Sequence, residues 1–308
     1  MERRELFKYT LIASAPTALL GRASAASGPQ NASAIPDGRL TAPLSVPASG
    51  DIRVAFLISP GAEVVDFAGP WGVFQYATIG EANRNPFKLY TVAVSKDPVK
   101  VSGGMTVLPD YTYADAPTPD VLVVPATDTD KLAPTTSDWL RSAHKGAAVT
   151  MSVCNGSFVL AAAGLLDGKT ATAHHGSYGM LRAMYPKVTV IRGVRFAEDG
   201  KVATSGGLTS GMDLAMRVVE RYFGRDVAQQ TALTLEYQGT GWMFPASNAQ
   251  FAKKPVGTAQ HPVCPVCESQ FSRETAQMSQ YQGKTYYLCS QFCKKHFIAD
   301  PPRYIDAA

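Results

Sequence analysis

The five cysteines of this chain fall into two groups, and their spacing constrains the fold more than any other feature of the sequence. Four of them lie near the C-terminus as two close pairs, Cys264-x2-Cys267 and Cys289-x3-Cys293. Two such pairs, held about twenty residues apart, are typical of a tetrahedral site with four thiolate ligands. The fifth cysteine, Cys154, lies alone between a strand-like and a helix-like apolar run. The distribution therefore predicts two modules with different chemistry.

The four-cysteine cluster predicts a small module whose folding depends on a metal ion. A unit of roughly 45 residues builds little hydrophobic core, so metal binding would supply most of its folding free energy. Zinc is the expected ion, and soft thiolates would also accept copper or iron. Two disulfides are the alternative in an oxidising compartment. His261 and His296 are substitute ligands that a four-cysteine site does not need.

Composition and charge exclude several classes of protein. The 308 residues are 45% hydrophobic and 18% charged, which is ordinary for a soluble protein and leaves room for one large and one small domain. The net charge of +4 comes without a block of Lys or Arg, so we expect no nucleic-acid partner. No apolar run reaches the roughly 18–20 residues that cross a bilayer, so we expect no membrane-spanning segment.

Residues 1–26 have the pattern of a removable export signal. The pair Arg3-Arg4 precedes a modestly apolar stretch, and the small residues Ala23-Ser24-Ala25 form a cleavage pattern. This segment resembles a twin-arginine signal peptide, which implies a periplasmic or secreted protein. Because that route exports folded proteins, a metal would occupy the cysteine cluster before the chain met an oxidising compartment. Residues 27–50 are rich in Ala, Pro, Ser and Gly and indicate a flexible linker.

Strand-like and helix-like segments alternate over residues 51–238, which predicts a parallel α/β sheet covered on both faces. The predicted strands are Ile52–Ile58, Phe87–Val94, Val121–Val124, Ala148–Val153, Val188–Ile191 and Val202–Thr204. The predicted helices are Trp71–Thr78, Ser137–Lys145, Asn155–Leu166, Tyr178–Tyr185, Met212–Phe223 and Asp226–Tyr237. Residues 239–260 have no clear period and indicate an extended connector to a metal-binding unit at 261–305.

Cys154 falls at a turn from a strand into a helix, at the sheet edge where parallel α/β proteins bind ligands. The positive end of a helix dipole lowers a thiol pKa, so the sequence predicts a reactive thiolate, with an inert buried cysteine as the alternative. Asp66 and Glu63 follow the first predicted strand, and His174 lies twenty positions after Cys154. A carboxylate, a thiol and an imidazole on three loops of one edge would make a Cys/His/acid arrangement.

Three motifs carry a resemblance to a known superfamily. They are G-A-E-x-x-D-x-x-G-P, V-C-N-G-S-x-x-L-A-x-A-G-L-L-D-G-K-x-A-T-x-H and T-S-G-G-x-T-S-G-M-D-L-A. Over about residues 51–237 they resemble the DJ-1/PfpI superfamily, in particular its isonitrile hydratase-like branch. The resemblance implies a flavodoxin-like sandwich, often a homodimer, that acts on a small-molecule substrate. It also implies that Cys154 is the nucleophile, that Asp66 is its carboxylate neighbour, and that His174 occupies the family's histidine position.

The C-terminal segment carries a second resemblance. It reads H-P-V-C-P-V-C, then Y-Q-G-K-T-Y-Y-L-C-S-Q-F-C-K-K-H-F, then D-P-P-R-Y-I, and is similar to the YHS domain over nearly all of residues 261–305. This resemblance implies a small treble-clef-like module that binds a metal ion. Cys264, Cys267, Cys289 and Cys293 would supply a complete set of four ligands.

Two positions depart from the hydratase-like pattern. Asn155 follows the nucleophile where such relatives have Thr, and Pro125-Ala126-Thr127 stands where relatives have Pro-Gly-Gly. Backbone amides at that turn and at Asn155 would form the oxyanion hole, so these changes alter its shape. The favoured interpretation is an exported cysteine hydratase or hydrolase of the isonitrile hydratase or amidase type. The alternatives are a non-enzymatic metal- or redox-sensing protein and a glyoxalase-type carbonyl-stress protein.

Four other titratable residues have secondary interpretations. Glu63 is the rival carboxylate to Asp66. Asp213 is expected to be a favourable charge in the first turn of a helix. His144 and His175 are interpreted as structural or solvent-facing residues.

Overall fold

A computed structural model of the chain describes residues 42–305. The predicted signal peptide and most of the predicted linker lie outside the described residues. Within the described part, no helix is long and apolar enough to cross a membrane.

Thirteen strands and seven helices alternate along this part of the chain. The strands are β1 (Ile52–Leu57), β2 (Phe87–Ala93), β3 (Val99–Lys100), β4 (Thr106–Val107), β5 (Tyr111–Thr112), β6 (Val121–Val124), β7 (Val149–Ser152), β8 (Thr170–Ala171), β9 (Thr189–Val190), β10 (Phe196–Asp199), β11 (Val202–Ser205), β12 (Gln277–Tyr281) and β13 (Lys284–Leu288). The helices are α1 (Val64–Tyr76), α2 (Thr136–Gly146), α3 (Gly156–Ala162), α4 (Tyr178–Met184), α5 (Ser210–Phe223), α6 (Arg225–Thr234) and α7 (Gln291–Ala299).

Seven of these strands form one sheet in the order β10-β11-β7-β6-β1-β2-β5. The neighbours from β11 to β5 pair in parallel, and β10 runs antiparallel to β11 at the edge. The inner order β2-β1-β6-β7-β11 is that of a flavodoxin-like doubly wound sheet. The predicted fold class is therefore confirmed.

The side chains of β1 point alternately to the two faces of the sheet, and both sets are mainly apolar, so helices cover both faces. Ile52, Val54 and Phe56 are fully buried in one apolar layer, shared with α1, α5 and α6. Ala55 and Leu57 are fully buried in the opposite layer, shared with α2, α3 and α4. Burial of each large apolar side chain contributes about 1.5–3 kcal/mol to the free energy of unfolding, so both layers stabilise the sheet whose edge carries the site.

Two predicted elements differ from those observed, and one edge strand of the sheet was not predicted. The helix predicted from Trp71 begins at Val64 and contains Pro70, because the loss of one backbone donor there is offset by the packing of the apolar face. The strand predicted at Val188–Ile191 is the two-residue β9, which pairs with β8 outside the main sheet. The edge strand β10 was not predicted, since its sequence F-A-E-D lacks an apolar run.

Parts of the two segments predicted as linkers pack onto the α/β unit, whereas residues 253–260 are exposed. Leu44 donates its backbone N–H to the carbonyl of Arg221 at 2.8 Å and contacts the core. In the predicted connector, Trp242 is 2% exposed, and Pro245–Phe251 forms 3-10 helical turns. Asn248 is buried within them and donates to a backbone carbonyl of the α/β unit. Sequence periodicity missed this packing because single buried side chains anchor it.

The C-terminal unit consists of the loop that carries Cys264 and Cys267, a hairpin of β12 and β13, and α7. Its small core contains Val266, Leu288 and Phe297, all fully buried, together with three of the four clustered cysteines. The order of loop, hairpin and helix agrees with the predicted treble-clef-like module.

The turn between β7 and α3 depends on one glycine. A Cβ at Gly156 would lie 2.1 Å from the carbonyl oxygen of Val124 and 2.9 Å from the carbonyl carbon of Pro125. Side chains never approach backbone this closely, so only glycine lets α3 begin against the end of β6. This contact fixes the position of the two residues before it, Cys154 and Asn155.

We predict that Gly156→Ala lowers the free energy of unfolding by at least about 2–3 kcal/mol, since the added methyl must displace backbone. Gly72→Ala is the matched control, because Gly72 lies inside α1 with nothing within 4 Å of the added Cβ. Ala there should stabilise the protein by about 0.5–1 kcal/mol. Urea unfolding of both variants measures the difference, and equal effects would contradict this account of the turn.

Candidate functional site

Cys154 lies on a strained turn at the carboxyl end of β7. Its φ is 57°, a left-handed conformation that costs a non-glycine residue about 1 kcal/mol or more. Hydrogen bonds fix the turn: Cys154 N–H donates to Gly206 O at 3.0 Å, Gly156 N–H to Val153 O at 2.8 Å, and the Ser157 hydroxyl to Cys154 O at 3.3 Å. The surrounding backbone therefore holds the thiol in one orientation at the edge of the sheet.

Asp66 lies in the first turn of α1 and is completely buried. Its Oδ2 accepts the N–H of Ala126 at 3.0 Å, while its buried Oδ1 has no hydrogen-bond partner in the described part of the chain. Burial, and then the charge of Glu63, raise the pKa of Asp66 to about 7; the amides of Ala126 and Leu208 offset part of this shift. The carboxyl group can therefore hold or release a proton near neutral pH.

The Cys154 thiol is neutral at physiological pH, contrary to the thiolate predicted from its place before a helix. Burial raises the pKa of Cys154 to about 12, with a further contribution from the charge of Asp66. The amides of Asn155 and Leu208 face the sulfur and lower the pKa, but by less. The prediction was wrong because α3 has only seven residues, so its dipole is weak, and because burial outweighs it.

A cavity of about 450 Å³ opens over this turn, and Cys154, Asn155, His174 and Glu63 all belong to its wall. The structure therefore brings the predicted thiol and histidine to one cavity, with the Asp66 carboxyl buried close enough to affect the thiol's pKa. Such a volume accommodates a small organic molecule.

His174 lies in the cavity wall, and its Nδ1 is already occupied as a hydrogen-bond acceptor. Its Nδ1 accepts the N–H of Gly176 at 3.2 Å, so the proton of the neutral ring is on Nε2. Burial and the neighbouring His175 lower the pKa of His174, which keeps the ring neutral. A Cβ at Gly207 would lie 2.5 Å from His174 Cδ2, so this glycine allows the ring its position.

Three further groups of the site are two backbone amides and one unpaired side-chain oxygen. The Asn155 amide faces the sulfur, and the Asn155 Oδ1 is buried without a partner in the described part of the chain. Leu208, with a φ of 50°, aims its amide at both Cys154 and Asp66. Sequence reasoning missed Leu208; the two glycines before it were the available signal of a tight turn.

The remaining titratable residues have structural contacts. Asp213 is 1% exposed, forms an ion pair with Arg195 and accepts the Tyr237 hydroxyl at 3.0 Å. His144 Nδ1 lies 2.9 Å from the Thr150 hydroxyl. Asp213 therefore anchors the start of α5, as a charge in its first turn, rather than contributing to the cavity.

His175 stacks on Phe251 with ring centroids 4.1 Å apart. It is exposed and does not belong to the cavity wall. This contact ties the turn that carries His174 to the connector.

The first cysteine pair lies on a tight loop of the C-terminal unit. Cys264 N–H donates to Ser269 O at 2.9 Å, and Glu268 N–H donates to Cys264 O at 2.8 Å. Glu268 closes the loop with a φ of 63°. The loop therefore directs Cys264 and Cys267 to the same side.

The second pair lies at the junction of the hairpin and α7, and completes a four-sulfur cluster. Cys289 follows β13, and Cys293 lies in the first turn of α7, where its N–H donates to the Ser290 hydroxyl at 3.2 Å. The Sγ of Cys289 lies 3.4 Å from that of Cys267 and 3.6 Å from that of Cys293. All four sulfurs lie within 4.8 Å of one another.

This donor set fits a four-coordinate metal. Zinc–sulfur bonds of about 2.3 Å in a tetrahedron give sulfur–sulfur distances of about 3.8 Å, close to those observed. All five cysteines are free thiols in this structure, and the convergence of four sulfurs on one point favours a metal site over two separate disulfides. His261 and His296 do not belong to the cluster of potential ligands among the described residues. Four thiolates suit zinc and also copper or iron.

We predict that Asp66→Asn stabilises the protein in a pH-dependent way. The folded carboxyl, with its pKa near 7, binds more protons than the unfolded one, whose pKa is about 3.9, so wild-type stability falls as the pH rises from 4 to 7. Asn does not titrate, so the free energy of unfolding of the variant should rise relative to that of wild type by up to about 4 kcal/mol across that pH range. Urea unfolding from pH 4 to 8 measures the gap.

The exposed Asp97 provides the control for this prediction. Asp97→Asn should leave the difference from wild type constant across the same pH range. A constant difference for Asp66→Asn as well would mean that Asp66 ionises like a surface aspartate.

Comparison with known proteins agrees with this geometry. Residues 52–221 match the model of the DJ-1/PfpI family, and residues 263–308 match that of the YHS domain. The chain is 34% identical to the isonitrile hydratase of Pseudomonas putida, over 60% of this chain and 78% of that protein. It is 29% identical to the HTH-type transcriptional regulator CdhR of Pseudomonas aeruginosa, over 58% of this chain and about half (52%) of the regulator.

Solved structures show the same fold over the α/β unit. A ThiJ/PfpI family protein from Pseudomonas syringae is 29% identical, with a TM-score of 0.54 over 61% of this chain and 76% of that one. Drosophila melanogaster DJ-1beta shares the fold at 22% identity, with a TM-score of 0.51 over 60% of this chain and 98% of that one. This chain is thus a member of the DJ-1/PfpI family in which the α/β unit is followed by a YHS domain.

Proposed function

We propose that this protein is a cysteine-dependent hydratase or hydrolase of the isonitrile hydratase type, acting on a small electrophile in the cavity above Cys154. The observation that carries the proposal is the pairing of a buried thiol on a strained turn with a buried carboxyl whose pKa is near 7. A proton donor and acceptor works best when its pKa is near the working pH, and Asp66 meets that condition. Similarity to the Pseudomonas putida isonitrile hydratase supports the choice of reaction.

The thiol and the carboxyl would act together, because neither is reactive alone. The pKa values of about 12 and about 7 make proton transfer from Cys154 to Asp66 uphill by at most about 7 kcal/mol. The real cost is smaller, since the transfer removes the Asp66 charge that holds up the thiol pKa. Nucleophilic attack by sulfur and proton transfer to Asp66 are therefore expected to be coupled.

For an isonitrile, the steps balance with water as the only co-reactant. The Cys154 sulfur bonds to the terminal isonitrile carbon, its proton passes to Asp66, and Asp66 returns that proton to the same carbon, giving a thioimidate. Water then adds to this carbon, one water proton goes to the substrate nitrogen, and the carbon–sulfur bond breaks as the other water proton passes to the leaving sulfur. The products are an N-substituted formamide and the free thiol.

Backbone amides would stabilise the charge that develops during these steps. The Asn155 and Leu208 amides converge on the sulfur, so they also face a substrate atom bonded to it. The Ala126 amide is already bonded to Asp66 and is not free for this role. His174 adds an Nε2–H donor at the cavity wall.

The metal-binding unit would have a structural role in this function. A zinc ion with four thiolate ligands has no open position for substrate, so it would cross-link the loop, the hairpin and α7. The residues that would hold it are Cys264, Cys267, Cys289 and Cys293.

The raised thiol pKa also argues against the alternative of a redox sensor. Oxidant-sensing cysteines react as thiolates and have low pKa values. Cys154 has the opposite property, because burial raises its pKa. We further propose that the activity is exported, an inference that rests on Arg3-Arg4 and the cleavage pattern after them.

The test is to incubate the purified, metal-loaded protein with a small alkyl isonitrile and to measure the N-substituted formamide. Wild type should turn over, and Cys154→Ser should lower kcat by at least about a thousandfold, as loss of a nucleophile does. Asp66→Asn should also lose turnover, since it cannot carry the proton. His144→Asn, which changes a histidine outside the cavity, should retain activity. No formamide from folded wild type, or full activity in Cys154→Ser, would refute the proposal.

A further inference from the structure

The cavity over Cys154 has an acidic wall. Glu63 and Asp128 line it, and none of the described residues that line it is Lys or Arg. His174, the one imidazole in the wall, is kept neutral by burial. Asp128 pairs at 2.8 Å with the exposed Lys131, which offsets its charge, whereas Glu63 takes part in no ion pair between described residues. Glu63 therefore dominates the charge of the cavity.

The charge of Glu63 reaches the reacting groups. It contributes to the raised pKa values of both Asp66 and Cys154. In addition, the buried Asn155 Oδ1 has no hydrogen-bond partner among the described residues and belongs to a residue of the cavity wall, so it is an acceptor available to a bound N–H. An anion would add a third negative group to this site, whereas an N–H or a cation would satisfy it.

We propose that the site selects small uncharged or cationic electrophiles and excludes anionic ones, with Glu63 as the specificity-determining residue. This inference rests on the proposed function for the identity of the site, although its test requires no turnover. Carboxylate-bearing substrates are excluded, and products with an N–H, such as formamides, can donate it to the unpaired Asn155 Oδ1.

Two alkylating reagents of nearly equal size test this selection. Iodoacetamide is neutral and iodoacetate is an anion, and mass spectrometry assigns the label to Cys154. Because both react with the same thiolate, the ratio of their rates cancels the pKa of the thiol. The neutral-to-anionic ratio at Cys154 should exceed that of an unstructured cysteine peptide by about tenfold, the effect of one charge several ångströms away.

Glu63→Gln should bring the ratio most of the way back to the peptide value. Glu63 makes no side-chain capping bond to α1, so the change should not disturb folding. Glu81→Gln, in the exposed connection between α1 and β2, is the matched control and should leave the ratio high. A peptide-like ratio in wild type, or a ratio unaffected by Glu63→Gln, would overturn the inference. A high ratio in a protein that does not hydrate isonitriles would keep this inference and refute the proposed function.

A second inference concerns the contact between α4 and the metal-binding loop. A Cβ at Gly179 would lie 2.6 Å from both the carbonyl carbon and the carbonyl oxygen of Cys267, so the helix touches the backbone of a metal-ligand residue. Met180 and Ala183 of the same helix pack into the apolar cluster that contains Cys264 and Cys267. Helix α4 and the cysteine loop therefore share one core.

An ion-pair clamp reinforces this contact. Glu268, the residue after Cys267, is 8% exposed, and its carboxylate lies between Arg182 of α4, at 3.2 Å, and Arg192 after β9. Arg303 also donates to the backbone carbonyl of Arg182. Buried carboxylates are costly unless paired, so the clamp holds only while the loop keeps its shape.

The same helix supports the cavity wall. His174 lies four residues before α4 begins, and its Nδ1 accepts an N–H from the turn leading into the helix. His175 stacks on Phe251 of the connector, which Arg192 holds through the carbonyls of Ala252 and Lys253 at 2.9 Å each. Loop, clamp, α4 and His174 thus form one continuous set of contacts.

The geometry points to the metal-binding unit as a support for the cavity: the metal-loaded loop fixes α4, and α4 fixes the wall that carries His174. Without metal, four close thiols lose the ion that holds them together, and Glu268 loses its fixed position. Metal loss should therefore loosen α4 and expose Cys154.

Hydrogen exchange and Cys154 alkylation, each compared before and after chelation of the metal in the full chain, test this coupling. Chelation should raise amide exchange in α4 at least about tenfold, as loss of tertiary contacts does, and speed alkylation of Cys154 by iodoacetamide several-fold. Arg182→Met should give a smaller increase of both with the metal content unchanged. Lys187→Met, which breaks an exposed ion pair with Asp167 just after α4, is the control and should change neither.

Exchange in β12 and β13 reports whether chelation has loosened the metal-binding unit itself. If exchange there rises while α4 and Cys154 keep their wild-type rates, the coupling does not exist. Unchanged α4 exchange in a metal-loaded Arg182→Met protein would likewise overturn the role of the clamp.

Discussion

The carboxyl of Asp66 and the thiol of Cys154 lie together at the edge of the sheet, almost removed from water. Each would ionise more easily in solvent, and burial disfavours the charged form of both. The thiol therefore rests protonated, whereas the carboxyl, with its pKa near 7, is present in both forms near neutral pH, and its ionised form can accept the thiol proton. The strained turn and the glycine contact that positions it serve this arrangement, because they hold the sulfur near the carboxyl at the base of the cavity.

This resting state explains how a cysteine enzyme could avoid oxidation and yet react. A thiol with a high pKa reacts slowly with oxidants because little of it is thiolate, and it becomes nucleophilic when its proton passes to the ionised form of Asp66. Glu63 adds a charge that raises both pKa values and decides which electrophiles enter. Reactivity and selectivity would then come from the same small set of acidic groups.

The YHS domain is integrated into the molecule rather than appended to it. Its metal-binding loop packs against α4, and the connector covers the turn that carries His174. Small metal-dependent units gain their stability from the ion, so a contact of this kind gives that stability to a neighbouring element. On the proposed coupling, the α/β unit would thereby gain a support for α4, a helix of only seven residues.

Periodicity in the sequence was enough to predict the doubly wound sheet, and cysteine spacing was enough to predict the four-sulfur cluster. The sequence also identified Cys154, Asn155 and His174 as site residues, and all three line one cavity. It identified Asp66 as well, which is buried close enough to the thiol for its charge to raise the thiol pKa. The sequence did not predict the direction of the shift in the thiol pKa. That shift is caused mainly by burial, and burial depends on packing of α1 and α5, which are far from Cys154 along the chain. The clamp at Glu268 was equally invisible, since its partners Arg182 and Arg192 lie more than seventy residues away.

The central claim is that Asp66 keeps its proton to near neutral pH. A carbon-13 NMR titration of aspartate carboxyl groups in the full-length protein, with the Asp66 signal assigned through Asp66→Asn, measures this directly. The account predicts a midpoint near pH 7 for that signal. A midpoint near 4, the ordinary value for aspartate, would contradict it and with it the proton transfer on which the proposed reaction depends.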